Sequence, residues 1–304
     1  MADTIESLAA SFRRDLRADG KSARTIVIYG QAVTFYRQWL IDRRLEDRFE
    51  PTVDDMTRGS IRDFLVHLRD DLGQSESTRV IRFAGLRRFC RWAAAEGLIE
   101  RSPMDGMDQP ALPEVPVPVL ADAQIIALLK TCGGKDYKDR RDEAVIRVLL
   151  DSGMRVSECA GMKLADTDLD AGAVLIMGKG SRPRVAMFGA RTARAIDRYL
   201  RVRRAHPYAS SAALWLSQRG PLSADGIDQM LRVRSRTAGL DPPVHAHQFR
   251  HTAAHYWKAS GGQEQDLKRI MGWRSDAMLA RYGSSLADER AREAHRRMAP
   301  GDRL

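Results

Sequence analysis

The sequence predicts a mainly α chain with one small β-sheet, the sheet confined to its second half. Three observations carry this. Apolar residues recur at three- and four-residue steps over most of the chain, the period of a helix with one buried face. Only two short runs, Ala173–Met177 and Arg184–Phe188, have strand character. Five prolines (Pro103, Pro110, Pro113, Pro116 and Pro118) crowd one segment. Proline removes a backbone donor and disfavours helix in the residue before it, so this segment reads as an extended, semi-rigid linker. The expected organisation is a helical bundle over residues 1–101, a linker over 102–118 and an α+β domain over 119–304.

In the first domain, Ile5, Leu8, Phe12 and Leu16 mark one amphipathic helix. Tyr29, Val33, Tyr36 and Leu40 mark a second, and Ile61, Phe64, Leu65 and Leu68 a third. A fourth starts at Ser75, a good N-cap, and stops at Gly97, which tolerates the left-handed turn that ends helices. Four helices of this length suit a small bundle. In the fourth, Phe83, Leu86, Phe89, Cys90 and Ala93 share one face, with Arg87, Arg88 and Arg91 opposite and no acid between Ser77 and Ala95. Such a helix suits a phosphate backbone; an ordinary solvated basic face gives the same pattern.

In the second domain, helical patterns run near Ala121–Cys132, Asp139–Ser152, Ala190–Ala205, Ala224–Ala238, Gln248–Ser260 and Ala287–Met298. The two strands are joined by Gly178-Lys179-Gly180-Ser181, a hairpin turn with a lysine at its tip.

Charge and composition narrow the partners. The 304 residues carry a net charge of +10. Residues 1–101 hold 18 basic and 16 acidic side chains, and residues 119–304 hold 32 and 21, so the excess lies in the second domain. A basic domain favours nucleic acid. No run of about 18 apolar residues exists, so no membrane span is expected. The start, with Asp3 and Glu6, lacks the basic and apolar stretches of a secretory signal. Three cysteines without a CxxC pair argue against a disulfide framework or zinc ribbon and fit a reducing cytoplasm; with nucleic acid as the expected partner, a nucleoid-associated protein is expected.

Seven residues are candidates for the chemistry. Arg155 and Arg250 could together hold one phosphate, since guanidinium groups bind phosphate oxygens bidentately. His247 lies three positions before Arg250, on nearly the same helix face. Tyr282, close to that phosphate, could attack it and form a covalent phospho-enzyme, with the arginines favouring the phenolate and a histidine taking its proton. Lys179 could protonate the departing alkoxide. Glu158, one turn after Arg155, could orient an arginine or histidine, and the Trp273 indole N–H could reach a phosphate oxygen. Each has a plainer structural role: surface ion pairs for the arginines, packing for the tyrosine and tryptophan. His247, His251 and His255, at four-residue steps, also raise a metal site, with no cysteine near and no obvious carboxylate companion.

In their order along the chain, Arg155-x-x-Glu158, Lys179, His247-x-x-Arg250-His251, Met271-Gly272-Trp273 and Tyr282 resemble the tyrosine recombinase (phage integrase) family. Gly153-Met154-Arg155-Val156-Ser157-Glu158, the segment from Gly178 to Val185 and that from His247 to Ala254 look like family signatures, and the resemblance spans the whole chain. It implies a helical, SAM-like core-binding domain and a catalytic domain that clamp double-stranded DNA, with Arg87, Arg88 and Arg91 across the duplex from the catalytic pocket. Many members have histidine where this chain has Trp273; some carry tryptophan. The first helix begins almost at Met1, so no separate arm-binding domain is expected, only binding to core sites.

The implied reaction uses Tyr282 as nucleophile, Lys179 as general acid, and Arg155, Arg250, His247 and Trp273 on the phosphate, supported by Glu158 and His251. It passes through a 3′-phosphotyrosyl bond and, in a homo-tetramer, a Holliday junction, with no metal or other cofactor. Trp273 and the tail, whose Leu286, Arg290, Ala291, Glu293 and Ala294 suit an amphipathic helix docking in cis or in trans, tilt the expectation towards integration and excision of a phage or mobile element, with an excision factor as further partner. Xer-type chromosome dimer resolution is the alternative within the family. Outside it stand a non-catalytic DNA-binding protein, a type IB topoisomerase and a metal-dependent nuclease.

Overall fold

A computed structural model describes residues 3–44, 49–111, 118–178, 182–273 and 295–296, with the backbone alone at Arg182. Lys179, Tyr282 and nearly all of the anticipated tail helix lie outside these residues. The chain divides into two compact units, Met1–Glu114 and Val115–Leu304.

Among its described residues unit 1 holds four α-helices: α1 (Ile5–Ala18), α2 (Ala23–Asp42), α3 (Arg58–Asp70) and α4 (Glu76–Ala95), with a 3-10 turn at Val53–Asp55. Each α-helix starts at a hydroxyl residue, Thr4, Ser22, Thr57 or Ser75, that accepts from an amide of its first turn. Such a cap stabilises a helix by about 1 kcal/mol. The apolar stripes meet in one core, where Phe12 packs edge-on against Phe89 at 5.2 Å. Buried Tyr36 keeps its hydroxyl satisfied on Ser60 Oγ at 2.6 Å.

The segment expected to be an extended linker begins differently. Residues 102–107 turn, with Asp105 N–H donating to Ser102 O and Met107 N–H to Met104 O, and Met104 is buried in the unit 1 core. Serine followed by proline is a turn opener, and an apolar side chain two positions on supplies the anchor.

Unit 2 contains α5 (Asp122–Lys130), α6 (Tyr137–Ser152), α7 (Val156–Ala160), β1 (Thr167–Asp168), β2 (Ala173–Gly178), β3 (Arg182–Met187), α8 (Ala190–Arg203), β4 (Leu216–Ser217), β5 (Gly220–Pro221), α9 (Ala224–Thr237), α10 (Ala246–Ala259) and α11 (Glu264–Met271). Its centre is α6, whose Ala144, Val145, Ile146, Val148 and Leu149 are fully buried and which packs on α8 and α10. The sheet is antiparallel in the order β1-β2-β3, one strand more than expected, with Ile176 opposite Arg184. Helices α7 and α11 and the β4–β5 hairpin are too short to show a clear period.

Part of the basic excess is internal. Arg203 donates to the carbonyls of Ala209, Ser211, Ala213 and Leu214, and Arg234 to Asp139 and Asp142.

Candidate active site

The end of α6 sets the first piece. Gly153 adopts φ +56° and reverses the chain, so that Arg155 falls at the N-cap of α7. The left-handed backbone favours glycine here, and a Cβ, 2.5 Å from Met271 Cε and 3.1 Å from Ala253 Cβ, would push the end of the Met271 side chain aside. Arg155 N–H donates to Glu158 Oε2 (2.8 Å) and its Nη1 to Glu158 Oε1 (2.9 Å). The Arg155 side chain remains 38% exposed while that of Glu158 is 3% exposed, so the guanidinium stands at the surface on a buried carboxylate.

Arg250, on α10, supplies the second piece. It is 2% exposed, and it donates through Nη1 to Gly153 O (2.7 Å) and through Nη2 to Met271 O (2.6 Å). These two bonds join the Arg155 segment, 95 positions upstream, to the Trp273 segment, 21 positions downstream in the bond to Met271. The Arg250 Cζ lies 5.4 Å from the centroid of the buried Trp273 ring, within cation–π range. The arginine is thus locked by two carbonyls and one aromatic face.

His247 is exposed and His251 buried on the same helix, their rings edge-to-face at 4.6 Å. Among the described residues no group of three or more His, Cys, Asp or Glu side chains converges as a metal site would need.

Arg184 is the residue that the sequence reading missed. Its Nη2 donates to Glu158 Oε2 (2.7 Å) and its Nη1 to Ile270 O (2.7 Å), which ties β3 to α7 and to the end of α11. A signal for it existed. Along β3, Pro183, Val185 and Met187 are exposed while Arg184 alternates with buried Ala186 on the inner face. A cation on an apolar face implies an internal acid. Burial pushes the Glu158 carboxyl up, but the Arg155 amide and the Arg184 and Arg155 guanidinium groups outweigh this and hold it below the ordinary value. Glu158 is therefore a carboxylate shared by two arginines.

The stripe on α4 is less uniform than its sequence. Arg91 is exposed, Arg87 donates to Gln109 (3.1 Å) over the Phe83 ring, and half-buried Arg88 pairs with Asp15 of α1 and with Asp19, the residue that caps its C-terminus. Those acids lie 73 and 69 positions away, so no local pattern announces them.

Comparison with known proteins fits this arrangement. The model of the phage integrase family matches residues 118–289. Tyrosine recombinase XerD of Bifidobacterium longum is 27% identical over 264 residues, 83% of this chain and 84% of that protein. Two solved structures share the fold. The XerH site-specific recombinase bound to a palindromic difH substrate in a post-cleavage complex is 17% identical with a TM-score of 0.74, covering 97% of this chain and 85% of that one. The Tn1549 transposon integrase in complex with transposon right-end DNA is 20% identical with a TM-score of 0.73, covering 98% and 100%. The chain belongs to the phage integrase family, the tyrosine recombinases, enzymes that cleave and rejoin DNA through a phosphotyrosine intermediate.

Proposed function

We propose that this protein is a site-specific recombinase of the Xer type that resolves chromosome dimers at core sites. The observation that carries this reading is its relation to XerD over more than four-fifths of both chains. The mobile-element role expected from Trp273 and the tail draws less support and becomes the second reading. The fold does not separate the two, since XerH and the Tn1549 integrase resemble the chain equally well.

In the proposed reaction, a scissile phosphate sits over Arg155 and Arg250. Arg155 meets its non-bridging oxygens from the exposed side, and Arg250 adds a positive charge fixed by two carbonyls. A cation already held in place costs no reorganisation as charge builds on the pentavalent phosphorane, which makes such groups strong electrostatic catalysts. Tyr282 attacks phosphorus as a histidine takes its proton, and His247 and Trp273 add hydrogen bonds to the phosphate oxygens. The bond from phosphorus to the 5′ oxygen breaks, and Lys179 supplies the proton that oxygen takes. One phosphodiester has become one phosphotyrosyl ester and one 5′-hydroxyl, so no outside energy source enters. The 5′-hydroxyl of a second duplex then attacks the phosphotyrosine and releases Tyr282. Two such rounds in a tetramer on double-stranded DNA pass through a Holliday junction. Arg87 and Arg91 contact the phosphate backbone.

Sequencing host DNA fragments covalently trapped on the protein tests the role. A single chromosomal site away from any mobile element is the expected result. Sites at the ends of an integrated element would favour the integrase reading, where an excision factor would be a partner.

A further inference from the structure

Arg184 lies between the two arginines proposed to hold the phosphate. Glu158 Oε2 receives Arg184 Nη2, while Glu158 Oε1 receives Arg155 Nη1. Ile270 O receives Arg184 Nη1, and the next carbonyl, Met271 O, receives Arg250 Nη2. The Arg184 stem passes over Gly272, at φ +63°, where a Cβ would stand 3.3 Å from Arg184 Cδ and 3.2 Å from Nε. The left-handed backbone favours glycine where the chain leaves α11, and a Cβ there would press on the Arg184 stem.

We propose that Arg184 is a positioning residue for the scissile phosphate, acting through Glu158 on Arg155 and through the end of α11 on Arg250. This rests on the strand-exchange reading and adds a residue to it. A guanidinium and a carboxylate prefer a two-pronged pairing that uses both oxygens. Arg184 Nη2 and the Arg155 N–H together fill Oε2, so the Arg155 guanidinium is left with a single tie, to Oε1, and stays turned towards solvent. Without Arg184, Arg155 turns inward to span both oxygens and draws back from the phosphate. The end of α11 loses the tie at Ile270 O at the same time, so Arg250 shifts with Met271.

The test uses the full-length protein with Arg184→Gln and Arg184→Lys. The substrate is a nicked duplex carrying a core site recovered by selection from random-sequence DNA. Three versions carry a natural scissile phosphate, a methylphosphonate with one charged oxygen replaced by a neutral methyl, or a sulfur in place of the bridging 5′ oxygen. Arg184→Gln should bind the natural duplex within about threefold of wild type. It should form the covalent adduct about 100-fold more slowly, the scale for a misplacement of about 1 Å. Arg184→Lys keeps the ion pair but cannot also hold Ile270 O in fixed geometry, and should fall between. The methylphosphonate needs one cation fewer, so the gap to wild type should shrink to under about tenfold. The sulfur leaving group needs no proton, and the gap should stay.

A gap closed by sulfur would overturn the proposal by placing Arg184 with the leaving group. A gap equal on all three substrates would overturn it as general loss of the folded site, and no gap would overturn it outright. Wild type that forms no adduct would overturn the strand-exchange reading and this inference together, whereas wild-type adduct with unaffected variants overturns this inference alone.

Discussion

Arg155 and Arg250 should respond very differently to the same change, lysine for arginine. Arg250 is buried and donates from two nitrogens to two carbonyls, at 2.7 and 2.6 Å. An ammonium is a single point donor on a flexible stem and can satisfy at most one of them well. Losing one charge-assisted bond in a buried site costs about 1.5–3 kcal/mol. For a unit of this size each kcal/mol corresponds to about 2–4 °C, so Arg250→Lys should lower the melting temperature of unit 2 by about 3–12 °C. Arg155 is over a third exposed and pairs with a carboxylate that Arg184 also holds. Its replacement should cost under about 1 kcal/mol, or below about 4 °C. Both variants should lose adduct formation. Calorimetry of the DNA-free proteins reads the first effect, and gel detection of the adduct the second. Equal melting shifts, or a larger one for Arg155→Lys, would refute the reasoning that Arg250 is a structural pivot as well as a phosphate cation.

Other outcomes follow from the same geometry. Glu158 is held below its ordinary value, so its stabilising contribution is present above the unfolded value of about 4.3 and is lost as pH falls through the folded one. The stability difference between wild type and Glu158→Gln should therefore shrink on acidification below about pH 4, measured by denaturation across pH. Gly153→Ala should cost about 1–2 kcal/mol for its left-handed backbone. The strain falls on the residue whose carbonyl accepts from Arg250 Nη1, so adduct formation should slow as well. DNA binding through arginine and lysine contacts to phosphates should weaken by about 10³-fold or more between 50 and 200 mM salt. A flat affinity in a titration would contradict a phosphate-dominated interface.

Much of the fold was legible because its signals are local. Caps at Ser75, periodic stripes such as Ile5, Leu8, Phe12 and Leu16, and a hairpin around Gly178 each lie within a few residues of one another. The pairing of Arg155 with Glu158 was legible for the same reason, being one turn long. What escaped depends on distance along the chain. Arg184 meets its acid 26 positions upstream and its carbonyl 86 positions downstream. Arg88 meets its acids across a whole bundle. The linker was read from its prolines, yet Met104 folds its start back because one buried side chain outweighs the local preference for extension.

The most direct measurement is the chemical identity of the protein–DNA bond. A nicked core-site duplex incubated with wild type and digested should yield one peptide, containing Tyr282, esterified to a 3′-phosphate, and Tyr282→Phe should yield none. An adduct that survives in Tyr282→Phe, maps to another residue, or carries a 5′-phosphate would contradict the account.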